Sequence, residues 1–111
     1  MRFTILVVDD EKNIREGLAE SLGLDGYRVR TAADGAEGLR AVEEGDVDLV
    51  ITDLRMPSLS GGELLEKVSG RYPGLPVIVL TGHGTIEDAV EAMRHGAFDF
   101  LTKPVNLDHL S

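Results

Sequence analysis

Short apolar runs and longer helical patterns alternate along the whole chain. The runs lie at residues 5–8, 27–31, 48–52, 77–80 and 98–102 and are rich in β-branched and aromatic residues. Between them, apolar residues recur every three or four positions, which is the spacing of one face of a helix. Short strands separated by helical segments predict parallel strands joined by helical crossovers. The expected fold class is therefore α/β, a doubly wound sheet of five parallel strands.

The second run differs from its neighbours, and this difference predicts the order of the strands. Residues 27–31 alternate apolar with charged side chains, whereas the first, third and fourth runs are almost continuously apolar. Alternation suits an edge strand, while a continuous apolar run suits a strand that is covered on both faces. The predicted order is 2-1-3-4-5, the order of a flavodoxin-like sheet. The connections then change direction between strands 1 and 3.

Capping residues mark four predicted helix starts, and apolar residues at helical spacing follow each of them. The predicted starts are Asp10, Asp34 with Glu37, Ser60 with Glu63, and Thr85 with Asp88. The apolar residues that follow are Ile14, Leu18 and Leu22 in the first helix, Leu39 and Val42 in the second, Leu64, Leu65 and Val68 in the third, and Ile86, Ala89, Val90 and Met93 on one face of the fourth.

Composition narrows the classes of function. The 111 residues, 42% of them hydrophobic, suffice for one domain with a single core. We expect no membrane contact, because no apolar stretch is long enough to span a bilayer and no signal peptide is present. The absence of cysteine excludes disulfides and thiolate metal sites and agrees with a cytoplasmic location. A net charge of −9 argues against direct binding of nucleic acid by this domain, because binding to the phosphates requires a basic surface.

Polar side chains follow four of the predicted strands at the point where each strand ends. Asp9 and Asp10 follow the first strand, Asp53 the third, Thr81 the fourth and Lys103 the fifth. In a parallel sheet all of these residues lie along the carboxyl edge, where such folds have their functional crevice. Carboxylates crowded together repel one another unless a cation compensates, and Mg²⁺ prefers oxygen ligands. The pattern therefore predicts a site for a phosphoryl group and a magnesium ion.

Four segments, in order and at matching spacing, resemble the motifs of response-regulator receiver domains of two-component signalling. They are Val-Val-Asp-Asp-Glu at 7–11, Asp-Leu-Arg-Met-Pro at 53–57, Thr-Gly-His-Gly at 81–84 and Phe-Leu-Thr-Lys-Pro at 100–104. The resemblance covers essentially the whole chain. Segments 81–85 and 92–100 are most similar to the receivers of enhancer-binding transcriptional activators that carry an ATPase domain and work with sigma-54.

The resemblance implies a phosphoacceptor and a set of metal ligands. Asp53 corresponds to the aspartate that accepts the phosphoryl group as an acyl phosphate. Asp10 and Asp53 are expected to coordinate Mg²⁺ directly, Asp9 through water, and Arg55 through its main-chain carbonyl. Asp10 is also a predicted helix cap, and the two roles do not exclude each other.

The same resemblance implies a switch. Lys103 is expected to place its ammonium group beside the phosphoryl oxygens, with a cis peptide before Pro104 fixing its direction. Thr81 is expected to donate its hydroxyl to a phosphoryl oxygen. Phe100 stands at the aromatic switch position, where many relatives carry tyrosine, and it is equally expected as a core residue.

The resemblance implies that the domain accepts a phosphoryl group from a sensor histidine kinase and hydrolyses its own acyl phosphate, without acting as a turnover enzyme. Phosphorylation would repack the face formed by helix 4, strand 5 and helix 5 and so control an output domain, with transcription as the expected output. Residues 106–111 are expected to begin a truncated fifth helix, which would leave apolar surface open to homodimer contacts. An effector domain, through which alone DNA would be bound, is expected to follow.

Two alternative functions fit the sequence less well. A haloacid-dehalogenase phosphatase also uses an aspartate nucleophile on a doubly wound sheet, but it needs Asp-x-Asp after the first strand, and Asp9 and Asp10 are adjacent. A degenerate receiver acting as a scaffold would have lost an acidic residue, Asp53 or Lys103, and all of these are present. The histidines at positions 83, 95 and 109 are too scattered for a zinc motif.

Overall fold

The computed structural model describes residues 3–54, 56, 59–82 and 85–102. Over these residues strands and helices alternate as the hydrophobic pattern predicted. The elements are β1 (Thr4–Val8), α1 (Lys12–Leu24), β2 (Arg28–Ala32), α2 (Gly35–Glu44), β3 (Leu49–Thr52), α3 (Gly61–Arg71), β4 (Val77–Thr81), α4 (Ile86–Arg94) and β5 (Asp99–Thr102). The predicted fifth helix lies outside the described residues.

The five strands form one parallel sheet in the order β2-β1-β3-β4-β5, which confirms the predicted order. The central strand β1 pairs with β2 on one side and β3 on the other. Val8, its last residue, is level with Ala32 of β2 and with Thr52 of β3. The connections therefore change direction between β1 and β3, as the sequence predicted.

Each face of the sheet carries a separate apolar cluster, because successive strand residues point to opposite sides. On one face, buried residues of β1, β3 and β4 pack against α2, α3 and α4; Leu6, Val50, Leu64, Val68 and Val79 are central to this cluster. On the other face, Ile5, Val7, Ile51, Ile78 and Leu80 pack with Leu18 and Leu22 of α1. The sheet thus lies between two layers of helices, and its carboxyl edge is the end at which the polar residues converge.

Two of the predicted helix caps are confirmed in full. The hydroxyls of Ser60 and Thr85 accept hydrogen bonds from the backbone N–H groups of Glu63 and Asp88, whose carboxylates bond back to the N–H groups of the two caps. Each cap satisfies two N–H groups that the first helical turn leaves without a partner. The first turns of α3 and α4 are therefore specified locally.

The predicted starts of the first two helices differ from the structure in detail. In α2, Asp34 accepts the Glu37 N–H as expected, but the Glu37 carboxylate accepts the N–H of Ala33 instead of that of the cap. In α1 the prediction that Asp10 is the cap is wrong, since Glu11 occupies that position without a side-chain cap bond. Asp10 lies one residue before the cap, in the bend between β1 and α1 at the carboxyl edge.

The apolar face of α4 exists at the predicted positions but is largely exposed. Ile86 is 85% exposed, Val90 51% and Met93 49%, whereas Ala92 is buried. The helix packs on the sheet beside the edge strand β5 through this small residue, so its larger apolar side chains point away from the core. None of the helices in the described ranges is long and apolar enough to cross a membrane.

The contrast between α3 and α4 yields a stability prediction. Leu64→Ala removes a side chain with no exposed surface and is expected to lower the free energy of unfolding by about 2–5 kcal/mol. Ile86→Ala, a comparable truncation on the exposed face of α4, is expected to change it by less than about 0.5 kcal/mol. Urea unfolding measures both values. A loss at Ile86 as large as the loss at Leu64 would show that the α4 face is covered in solution.

Candidate functional site

Backbone pairing continues one residue beyond the strands and sets the acidic residues side by side. The N–H of Asp9 donates to the carbonyl of Ala32 at 3.1 Å, and the N–H of Asp53 donates to the carbonyl of Val8 at 2.9 Å. Both residues therefore leave the sheet in register with β1. The two aspartates that follow β1 and the one that follows β3 share one end of neighbouring strands.

Three carboxylates converge there, as the sequence predicted. One oxygen each from Asp9, Asp10 and Asp53 lies within 4.8 Å of the other two. Asp9 is 2% exposed and Asp53 7%, whereas Asp10 is exposed to solvent. Two unit charges at such a distance repel by roughly 3 kcal/mol at an effective dielectric constant of about 20. A cluster of hard oxygen donors, open to solvent on the Asp10 side, fits a magnesium ion that keeps several waters.

At least three hydrogen bonds with described residues hold Asp9, each at a different atom. Besides its N–H bond to β2, its Oδ1 accepts the N–H of Glu11 at 2.9 Å. Its carbonyl oxygen accepts Nη1 of Arg15 at 2.8 Å. The buried acid thus shapes the turn into α1, and Arg15 is a contact that sequence reasoning missed. The sequence shows only that a basic residue lies near the start of the helix that follows the acidic pair, which does not identify this contact.

The peptide that follows Asp53 is also held in place. Oδ1 of Asp53 accepts the N–H of Leu54 at 2.7 Å. The carbonyl oxygen of Asp53 accepts the hydroxyl of Thr52 at 3.0 Å, and the carbonyl of Leu54 accepts the N–H of Gly61 at 2.9 Å. Sequence reasoning missed Thr52 and Gly61, because a threonine in a strand and a glycine beside a cap are ordinary residues for those positions.

Thr81 and Phe100 lie where the strand pattern predicted them. Thr81 is the last residue of β4, 2% exposed, at the same edge as Asp53 and one strand away. Phe100 lies in β5 opposite Val79 and is half-buried against the cluster that contains α3. This packing agrees with the core interpretation of Phe100, and its role as a switch stays a prediction.

Several predicted site residues lie outside the described residues. They are Arg55, Lys103 and Pro104; His83 and His109, which were not predicted to belong to the site, also lie outside the described residues. The third histidine, His95, follows α4, where its ring nitrogens lie 3.2 Å from carboxylate oxygens of Glu66 and Glu91. It is remote from the acidic cluster in sequence and takes no part in it.

Comparison with known proteins shows the family of the chain. The model of the response regulator receiver domain matches residues 5–111, and the chain belongs to this family. The transcriptional regulatory protein GlrR of Escherichia coli strain K12 is 49% identical over 106 residues, which are 96% of this chain and 24% of GlrR. The chain thus spans about a quarter of the length of the curated relatives that it matches.

Solved structures agree with this assignment. A response regulator receiver domain protein from Clostridium thermocellum superposes with a TM-score of 0.91 at 44% identity, over 97% of this chain and 87% of that one. A response regulator from Burkholderia pseudomallei, solved with a phosphorylated aspartic acid, a calcium ion and citrate, gives a TM-score of 0.91 at 31% identity, over 97% of this chain and 64% of that one.

The chain is therefore a receiver domain of two-component response regulators, a family in which phosphorylation by a kinase is general. Its relatives include the DNA-binding transcriptional regulator NtrC of Escherichia coli strain K12, 40% identical over 96% of this chain and 23% of NtrC. These names agree with the sequence resemblance to receivers of sigma-54-dependent activators. The fold prediction and the family prediction are both confirmed.

The acidic cluster leads to a prediction about Asp10. Asp10→Asn removes one of three mutually repelling charges, so the metal-free domain is expected to become more stable, while most of its stabilisation by Mg²⁺ is lost. At about ten times its dissociation constant, Mg²⁺ should stabilise the wild-type domain by about 1.4 kcal/mol. Thermal melts with and without Mg²⁺ measure both effects.

Glu20→Gln is the matched control, because it removes the same charge from an exposed position in α1. It should leave the response to Mg²⁺ unchanged. If Asp10→Asn and the wild type respond alike to millimolar Mg²⁺, the assignment of the acidic pair to the metal is wrong.

Proposed function

We propose that this chain is a phosphorylation switch in which Asp53 accepts the phosphoryl group beside a magnesium ion. The observation that carries the proposal is the convergence of Asp9, Asp10 and Asp53 within 4.8 Å at the carboxyl edge of the sheet. Of these three, Asp53 is the single acidic residue that directly follows β3. Its Oδ1 accepts the N–H of Leu54, and the carboxylates of Asp9 and Asp10 are its neighbours. Membership of the receiver family supports the same assignment.

The transfer step requires little from the protein beyond positioning. A carboxylate oxygen of Asp53 forms a bond to phosphorus while the bond between phosphorus and the imidazole nitrogen of the kinase phosphohistidine breaks. The imidazole leaves with the electron pair, and Asp53 becomes an acyl phosphate. Water later attacks the phosphorus and returns the carboxylate and inorganic phosphate. The domain thus modifies itself and does not turn over a substrate.

The residues around Asp53 fit the charges that develop during transfer. Asp9, Asp10 and Asp53 would hold Mg²⁺ through oxygen atoms, with the main-chain carbonyl of Arg55 as a further ligand. When bound, the ion neutralises charge on the phosphoryl oxygens. Lys103 would add a second positive charge on the side of β5. The roles of Arg55 and Lys103, and the cis peptide before Pro104, are proposed from the family resemblance.

The response to phosphorylation would pass through Thr81 to α4. Thr81 ends β4, and the loop beyond it leads directly into the cap of α4 at Thr85. Because α4 is attached to the sheet through Ala92 and exposes Ile86, Val90 and Met93, a small movement of the loop can shift its position without opening a large core. An output segment that binds the exposed apolar face of α4 would then respond to its change in position.

The proposed partners follow from this role. A sensor histidine kinase supplies the phosphoryl group, and the output is control of transcription through an effector domain in the same polypeptide, with a homodimer as one state of the assembly. The names of the relatives, which are transcriptional regulators several times longer than this chain, support the effector. The cytoplasmic location stays a prediction.

Incubation with acetyl phosphate and Mg²⁺ tests the phosphoacceptor. The domain is expected to gain one phosphoryl group that is stable in acid and labile in base, as an acyl phosphate is, and Asp53→Asn is expected to gain none at that position. Mass spectrometry of peptides after digestion locates the group. Phosphate found on a serine or threonine in the wild type would refute the proposed mechanism.

Thr81 provides a separate test of the switch. Thr81→Ala should still accept phosphate on Asp53, but the resulting NMR shifts of amides in α4 and around Phe100 should fall to a small fraction of those in the wild type. Thr81→Ser, which keeps the hydroxyl, is the control and should retain most of the response. Equal shifts in the wild type and Thr81→Ala would show that this hydroxyl does not couple the site to α4.

A further inference from the structure

The peptide bond between Asp53 and Leu54 is held at both of its polar ends. Its carbonyl oxygen accepts the hydroxyl of Thr52 at 3.0 Å. Its N–H donates to Oδ1 of Asp53 at 2.7 Å. Because a peptide unit is planar and rigid, fixing the direction of its carbonyl also fixes the direction of its N–H. Any contact that holds the carbonyl therefore acts on the Asp53 carboxylate.

Thr52 is built for this contact. It is the last residue of β3, it has no exposed surface, and its hydroxyl is bonded to the Asp53 carbonyl. A buried hydroxyl without a partner is unfavourable, so burial makes this bond persistent. A valine would fill the same space and suit the strand equally well, but it could not donate a hydrogen bond to the Asp53 carbonyl. The hydroxyl is the part of Thr52 that the strand itself does not need.

Gly61 approaches the same peptide from the start of α3. A Cβ atom at position 61 would overlap the carbonyl oxygen of Asp53 and lie 2.8 Å from the Asp53 carbonyl carbon and the Leu54 Cα. The neighbouring Gly62 is different, because a Cβ there would meet only the Ser60 hydroxyl at 3.8 Å and a Leu54 methyl at 4.0 Å. Of these two glycines, only Gly61 therefore brings the first turn of α3 into close contact with the Asp53–Leu54 peptide.

We propose that Thr52 and Gly61 are positioning residues for the phosphoacceptor. Together they fix the Asp53–Leu54 peptide, and through the Leu54 N–H they set the orientation of the Asp53 carboxylate toward Asp9 and Asp10. The proposal rests on the proposed role of Asp53. Its chemical value is that a nucleophile held in the attacking geometry does not have to be ordered during the reaction.

The hydroxyl of Thr52 is tested with one substitution that removes it and keeps the shape of the side chain and with another that keeps the hydroxyl. Thr52→Val is expected to lower the rate of phosphoryl uptake from acetyl phosphate about tenfold, the size of effect seen when a supporting hydrogen bond is removed from a site. Thr52→Ser keeps the hydroxyl and should stay within about twofold of the wild type on the same scale. Equal rates for Thr52→Val and Thr52→Ser would overturn the role of the hydroxyl.

The rate of amide hydrogen exchange at Leu54 relative to that at Val79, measured in the domain without metal or phosphate, is the readout that a purely structural role would not change. If Thr52 orients the peptide, Thr52→Val speeds exchange at Leu54 while the amide of Val79, in the core of β4, keeps its wild-type rate. If Thr52 only stabilises the fold, exchange at both amides rises together, and the proposal is wrong.

The two glycines give a matched second test. Gly61→Ala is expected to reduce phosphoryl uptake about tenfold or more, whereas Gly62→Ala, the same change one residue later in the same helix, should leave the rate unchanged. Val68→Ala, a buried truncation in α3, controls for lost stability. A loss in Gly61→Ala no greater than in Val68→Ala would overturn the positioning role of Gly61.

These results separate the present proposal from the one on which it rests. If the wild type takes up no phosphate at Asp53, the proposed function fails, while the exchange of the Leu54 amide still decides whether Thr52 holds the peptide. If the wild type is phosphorylated and neither Thr52→Val nor Gly61→Ala slows uptake, the phosphoacceptor assignment stands and the positioning proposal falls.

Discussion

Parallel pairing of β1 with both β2 and β3 is the constraint on which the rest of the molecule depends. It aligns Val8 with Thr52 and extends the ladder to Asp9 and Asp53, so residues far apart in the chain leave the sheet at one height. A shift of one residue in this register would exchange the side chains that β1 contributes to the two core clusters. The same strand register that fills the two core clusters therefore also places the carboxylates.

The acidic site works against the stability of the domain that carries it. Three carboxylates within 4.8 Å repel one another, and two of them are buried. Hydrogen bonds to Asp9 and Asp53 offset part of this repulsion, and an apolar cluster packs on each face of the sheet that carries the site. A bound cation or a positive side chain would relieve it further. The mutual repulsion of the three carboxylates thus favours the binding of a cation at this site.

The elements beyond the site differ in how firmly they are held. Helix α3 packs through Leu64, Leu65 and Val68 and rests on the peptide after Asp53, so it belongs to the rigid support of the site. Helix α4 contributes one buried residue, Ala92, and leaves its larger apolar side chains in solvent. Firm support for the proposed phosphoacceptor next to a loosely packed helix is the arrangement that the proposed switch requires, because only the second element should move.

The sequence by itself determined the strand order, the caps at Ser60 and Thr85, and the convergence of Asp9, Asp10 and Asp53, since each follows from periodicity or short-range hydrogen bonding. Three features were decided by the tertiary structure: the start of α1 at Lys12 instead of directly after Asp10, the exposure of Ile86, and the contacts of Thr52 and Gly61 with the Asp53 peptide. These depend on which surfaces meet in space. A repeating pattern identifies the apolar side of a helix, but only the assembled sheet decides whether that side is covered, and only close packing shows that one glycine of an adjacent pair has no room for a methyl group.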